Sequence, residues 1–226
     1  SPKIKRFKDT DSLELYIKKN KIDSPQLFIW KELVETDHNL FLAHLKKIKE
    51  FIQKETFSNR AASHFGFLES KNILKNINKL KEIKILKKTN NTITNPALIV
   101  SSGFSLKENI DFVKDVLDYV YIFSLPSALP YLDFKGIRPD FVMAVDPGYG
   151  TFYHLAKYQK GTDLITTLNV TPSVFNIDNY NTLFFSYDNY LEKIIYDDYD
   201  IVNSCAEGSV IFNLLRVVKE IGFDTA

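Results

Sequence analysis

Asp146 is the residue best placed for chemistry. It ends the apolar run Phe141-Val142-Met143-Ala144-Val145 and is followed by Pro147-Gly148. A carboxylate therefore stands where a strand gives way to a sharp turn. There it can hold a ribose hydroxyl or a metal ion, or take a proton from an acceptor hydroxyl. The plainer alternative is a turn or helix cap, and the position just past a strand favours function. His154 follows soon after and could serve as a general base; a surface or packing histidine is the other reading. His38, His44 and His64 form no HxxxH or HExxH pair with it or with one another, so no histidine metal site is expected. Tyr149 and Tyr153 flank the same loop and could stack on a base or simply pack. Asp140 and Arg138 precede the strand and read as structural and surface residues.

Three further segments place small and polar residues beside strand ends. Ser101-Ser102-Gly103-Phe104-Ser105-Leu106 lies between an apolar run and an amphipathic stretch. Gly103 would let the backbone approach a phosphate, and Ser105 would cap the helix and donate to the same group. The segment matches neither GxGxxG nor a P-loop, so a plain β–α turn competes. Thr166-Thr167-Leu168-Asn169-Val170-Thr171-Pro172 offers hydroxyls and an amide, with Asn169 and Thr171 able to read a base or ribose. A capped loop is an equal alternative. Ser204-Cys205-Ala206-Glu207-Gly208-Ser209 opens a late helix, and Gly208 and Ser209 repeat the anion-binding logic. Cys205 has no charged activator beyond the helix start and reads as structural.

The elements that must position these residues follow from periodicity. Apolar runs at Ala97–Val100, Val120–Phe123, Phe141–Val145, Leu164–Thr167, Leu183–Phe185 and Ile201–Val202 alternate with helical stretches, among them Leu106–Leu117 and Val210–Ile221. Strands separated by helices predict βαβ units, and continuous apolar strands predict a parallel sheet covered on both faces. The expected class is α/β: a Rossmann-like parallel sheet with flanking helices over 96–226. In such sheets ligands bind beyond the carboxyl ends of the strands. Phe223-Asp224-Thr225-Ala226 reads as the lead-in to another strand, as if the domain were cut short at its C-terminus.

Residues 1–95 read differently. They carry 20 Lys+Arg against 11 Asp+Glu, a balance of +9, whereas 96–226 carries −8. Leu13, Leu15 and Ile17 alternate, as in a short strand. Ser24-Pro25 reads as an N-cap and first turn. Apolar residues from Leu27 to Ile52 follow at helical spacing, with a break at Thr36–Asn39, and a second helix is expected over 58–80. Lys87–Thr94 reads as a polar linker. We expect a mainly helical, basic region over 1–95. Arginine is scarce there and aromatic residues do not interleave with the lysines, so a solvated lysine-rich face is favoured over nucleic-acid binding.

The single cysteine excludes an intrachain disulfide framework. With no run of about 18 apolar residues and no signal-peptide pattern, we expect no membrane span and a cytoplasmic location. A sequence 45% hydrophobic and 25% charged suits a soluble globular chain with a sizeable core.

Four stretches together resemble one family. Asn95-Pro96-Ala97-Leu98-Ile99-Val100, running into Gly103 through Ile110, is similar to its PAIIVGAGPSLDKNI stretch. Gly136-Ile137, Pro139-Asp140 and Asp146-Pro147 resemble its GIxPDxxVxxDP stretch, the most specific of the four. Glu207-Gly208-Ser209-Val210 is similar to its GGSV helix opening. Phe67-Leu68 with Asn72 and Asn76 resembles its Asn-x-x-x-Asn helix. On these motifs the chain resembles the MptE-like, or DUF115, family that includes the motility accessory factor (Maf) flagellin glycosyltransferases. The resemblance covers roughly Phe65 to the C-terminus. It implies a Rossmann-like, nucleotide-binding core similar to that of sialyltransferases that use CMP-sialic acid.

The implied activity is transfer of a nonulosonic acid from a CMP-activated donor to Ser or Thr of a protein such as flagellin. Gly103, Ser105, Gly208 and Ser209 would hold the nucleotide phosphate, and Asp146 would act near the ribose or as a base, with His154 beside it. The basic helices would dock the protein acceptor or a sister subunit in a homo-oligomer. The family's archaeal branch implies a rival, diphosphate transfer from ATP to 6-hydroxymethylpterin with Mg²⁺. A third reading is a diverged binding protein. Ser101-Ser102-Gly103-Phe104 replaces the family's Gly-Ala-Gly-Pro, and Glu207 replaces one glycine of GGSV.

Overall fold

The chain is seen in a computed structural model that describes residues 5–20, 22, 38–81, 84–157, 161–178, 180–187, 189–204 and 209–224, without the side chains of 38, 40, 41 and 54–63. It divides into two compact units, 1–66 and 67–226.

In the first unit, α1 spans Thr10–Lys19 where alternation predicted a strand. The cap decides it. Asp9 accepts the Ser12 N–H at 2.8 Å, and the Ser12 side chain pairs back with the Asp9 backbone. This capping box starts a helix more firmly than three spaced apolar residues start an isolated strand. The hydrogen bonds from Ser12 hold the Asp9 carboxyl below its ordinary range. A second helix, α2, runs from His38 to Asn76 without the interruption expected before residue 58. No proline or glycine falls between Ile52 and Ser58 to break it. The expected helix start at Ser24-Pro25 lies outside the described residues.

The second unit takes in the last turns of α2, so it begins ahead of the boundary expected near residue 95. Among its described residues the strands are β1 (Lys84–Ile85), β2 (Ala97–Val100), β3 (Tyr121–Ser124), β4 (Phe141–Ala144), β5 (Asp163–Thr166), β6 (Asn181–Phe184), β7 (Ser186–Tyr187) and β8 (Asn203–Ser204). The first six form one sheet in the order β1-β6-β5-β4-β3-β2, every pair parallel. β7 and β8 make a separate parallel pair. The expected parallel α/β sheet is present. β1 and β7, two residues each, carry too short a pattern to read from sequence.

Alternate residues of the central strands feed cores on opposite faces. Val142 and Ala144 join Leu129, Leu155 and Leu164 on one side, while Met143 and Val145 join Phe123 and Ile165 on the other. The second face is covered by α8 (Val210–Glu220), which seats Leu214, Val217 and Val218 at zero exposure. Each such side chain contributes about 1.5–3 kcal/mol through burial. The first face carries α3 (Phe104–Glu108), α4 (Ile110–Asp115), α5 (Leu129–Phe134) and α6 (Gly150–Leu155). The single helix expected over 106–117 is thus two short ones, with Asn109 at the junction. α7 (Tyr190–Ile195) lies beyond β7. Among the described residues no helix is long and apolar enough to cross a membrane.

Candidate functional site

Because all six strands of the main sheet run the same way, the loops after β2, β3, β4 and β5 leave from one rim. A cleft of about 290 Å³ opens there. Its wall is built by Leu125 and Ser127 after β3, Val145 and Asp146 after β4, Thr151 and His154 of α6, and Val210 at the start of α8. Three chain segments distant in sequence thus meet around Asp146. Asp146 and His154 line this same cleft, and Ser105 does not.

Asp146 is exposed, and its Oδ1 accepts the Gly148 N–H at 2.7 Å. The turn reading and the site reading therefore coexist, with one carboxylate oxygen tightening the turn. His154, in the last turn of α6, is also exposed and lines the cleft. The loop after β2 joins this rim through Ser102, whose hydroxyl lies 3.0 Å from that of Ser127.

The glycine loop differs from expectation in one respect. Gly103 itself is the N-cap of α3, in extended backbone that any residue adopts, and no side chain caps the helix. Ser105 is one residue inside the helix, past the N-cap position, and lines a separate groove of about 240 Å³ beside β2, with Leu98, Val100, Leu106 and Phe112. A Cβ built on Gly103 would meet only Ser105 Oγ, at 3.7 Å. Among the described residues nothing in the packing requires glycine there.

Asn169 and Thr171 are not offered to the cleft. Asn169 is fully buried and Thr171 nearly so. The Asn169 Oδ1 accepts from the Thr167 hydroxyl, and its backbone carbonyl accepts from Asn72. The physical reason is that this loop turns inward, so most of its polar groups serve one another and the end of α2, while the buried Asn169 Nδ2 has no partner among the described residues. Gly208 lies outside the described residues. Ser209 is the exposed N-cap of α8 and makes no side-chain cap bond.

Two features went unread in the sequence. The first is the use to which Asn72 and Asn76 are put. Their four-residue spacing puts both on one helix face, and each donates to two loop carbonyls. The second is Glu192 of α7, fully buried, whose Oε1 accepts the Leu168 N–H at 3.0 Å and whose Oε2 accepts the Tyr187 N–H at 2.5 Å. Burial pushes this carboxyl up to about 8, against the pull of those N–H groups and with a further push from Glu69. Burial likewise raises Glu69 and Tyr196. No sequence pattern marks Glu192, since an acidic residue early in a helix is ordinary.

A parallel sheet flanked by helices, with a cleft at its carboxyl rim, defines a Rossmann-like α/β domain. The matching family is described as 6-hydroxymethylpterin diphosphokinase MptE-like, over residues 71–225. The chain belongs to the MptE-like family. An uncharacterized protein of Treponema pallidum (strain Nichols) is 33% identical over 86 residues, 38% of this chain and 40% of that protein. Among solved structures, the Maf glycosyltransferase of Magnetospirillum magneticum AMB-1 shares the fold with a TM-score of 0.55 and 21% identity. That match covers 62% of this chain and 23% of that one. The chain therefore spans about two fifths of its curated relative and under a quarter of its structural neighbour.

Proposed function

We propose that the cleft binds a CMP-activated nonulosonic acid and transfers the sugar to a Ser or Thr hydroxyl of a protein acceptor such as flagellin. The observation that carries this reading is the meeting of Asp146, His154 and the start of α8 in one cleft at the sheet's carboxyl rim. The fold shared with a protein described as a Maf glycosyltransferase supports it. The cleft is near the low end of the roughly 300–1,000 Å³ usual for ligand pockets, a size suited to the nucleotide, with the sugar held toward solvent.

In the proposed reaction the acceptor oxygen forms a bond to the anomeric carbon. The bond from that carbon to the CMP phosphate oxygen breaks, and CMP departs with the electron pair. His154 or Asp146 takes the acceptor proton. Backbone amides at Gly103 and at Ser209 and Val210 would face the phosphate. α3 has only five residues, so the 11-residue α8 supplies the larger dipole. Isothermal titration of the folded full-length protein with CMP and CTP tests the reading; no heat with either rejects it.

The family's description favours a second reading, diphosphate transfer from ATP to a pterin. That chemistry would place Mg²⁺ beside Asp146 among other carboxylates. The fold shared with a protein described as a Maf glycosyltransferase puts the sugar-transfer reading first. ATP binding that depends on magnesium would reverse that order.

A further inference from the structure

Helix α2 ends against the rim in an unusual way. Asn72 and Asn76 are 4% and 1% exposed, with the fully buried Ile73 beside Asn72. Each side-chain amide has two N–H groups, and each gives both to backbone carbonyls. Asn76 donates to Leu168 at 2.9 Å and to Val170 at 2.8 Å, both within the loop after β5. Asn72 donates to Asn169 at 3.0 Å in that same loop, and to Pro147 at 3.0 Å in the turn after β4. The two residues are chemically identical and one helical turn apart, but only Asn72 joins two loops.

Those carbonyls belong to segments that have left the sheet, so no strand neighbour can satisfy them. Buried carbonyls need a donor, and a primary amide is the neutral side chain that carries two on one nitrogen. The loop after β5 is itself held from below, where Glu192 accepts the Leu168 N–H. It is therefore a fixed reference, and Asn72 ties the turn containing Asp146 to it.

We propose that Asn72 is a positioning residue, whose side-chain amide sets where Asp146 stands in the cleft by tethering Pro147 to the loop after β5. The importance of that position rests on the function proposed above; the tether itself does not. Asn76 braces one loop internally and serves as the matched control, since its truncation removes the same number of hydrogen bonds.

The test compares N72A and N76A in the full chain, reading the Gly148 amide by NMR and hydrogen exchange. That N–H is donated to Asp146 Oδ1, so it reports on the turn without any ligand. Both variants should melt at lower temperature. N72A should shift the Gly148 resonance and speed its exchange about threefold to tenfold, the loss of one hydrogen bond's worth of protection. N76A should leave it within about twofold of the parent. If N72A does not fold, N72S, which keeps one donor, is read the same way. A Gly148 amide unchanged in the Asn72 variant, or changed equally in both, overturns the proposal. Failure to bind CMP would count against the proposed function alone.

Discussion

The Asp146 carboxylate and the Gly148 backbone are fitted to each other: Oδ1 accepts the Gly148 N–H at 2.7 Å, and a Cβ at Gly148 would stand 3.0 Å from that same oxygen. The turn therefore admits little beyond glycine while Asp146 keeps its place. Replacing Gly148 by alanine would push the carboxylate aside by a few tenths of an ångström. We expect G148A to lose under about 1 kcal/mol of stability, since the clash meets a side-chain end. It should weaken CMP binding several-fold, about 1 kcal/mol. Thermal melts and titration calorimetry on one preparation check both parts.

Asp146 and His154 carry the proposed proton transfer. Of D146N and H154A, the one that removes the proton acceptor should lower kcat by roughly 10²–10⁴-fold, while CMP still binds. A variant with unaltered turnover would strike that residue from the mechanism.

Glu192 gives the protein a pH signature. Its folded-state value of about 8 lies above the ordinary 4.5, so the folded chain holds that proton more tightly than the unfolded chain. Its contribution is complete below about pH 4.5, erodes as pH rises, and is gone above about 8. The groups facing it, Glu69 and Tyr196, are also raised by burial. Urea midpoints measured from pH 5 to 8 should fall with rising pH, and E192Q should flatten the slope. A parent protein that gains stability over that interval would contradict the assignment.

Gly222 closes α8 with φ at +99°, and a Cβ there would lie 2.2 Å from the Asn91 carbonyl oxygen. Both the backbone conformation and the space exclude a side chain. G222A should cost about 2–3 kcal/mol or more, readable as a lower urea midpoint for the second unit. A loss within experimental error would mean that the 89–93 segment moves away freely.

How much of this was legible beforehand depends on length and on context. β2 to β5 announced themselves because strands buried on both faces read as mostly apolar runs, and Asp146 could be placed because it follows the run Phe141–Val145. β1 and β7 could not be read, because two residues make no period. α1 was misread because Leu13, Leu15 and Ile17 alternate by chance, while the deciding signal was the Asp9–Ser12 cap. Asn169 and Thr171 carry the right groups for reading a ligand, but nothing local reveals that their loop turns inward. Ser105 fits a cap by type, yet the chain begins the helix two residues sooner than expected, at Phe104, with Gly103 in the capping place. The Asn72–Asn76 spacing was visible as a pattern; what the amides hold lies some 75 to 97 residues away in the chain and belongs to tertiary structure alone.

The order of strands has a bearing on how the chain is made. β2 to β6 are neighbours in the sheet in the same sequence as they leave the ribosome, so each new strand finds its partner already formed. Lys84 and Ile85 pair instead with Leu183 and Phe184, roughly a hundred residues later, a long closure that slows folding. Among the described strands of the main sheet, the earliest in the chain is thus among the last to be secured, and that margin of the sheet stays unfinished until translation has passed Phe184. Nascent chains stopped short of that residue should hold the β2–β5 layer while β1 waits, unpaired, for the strand that completes it.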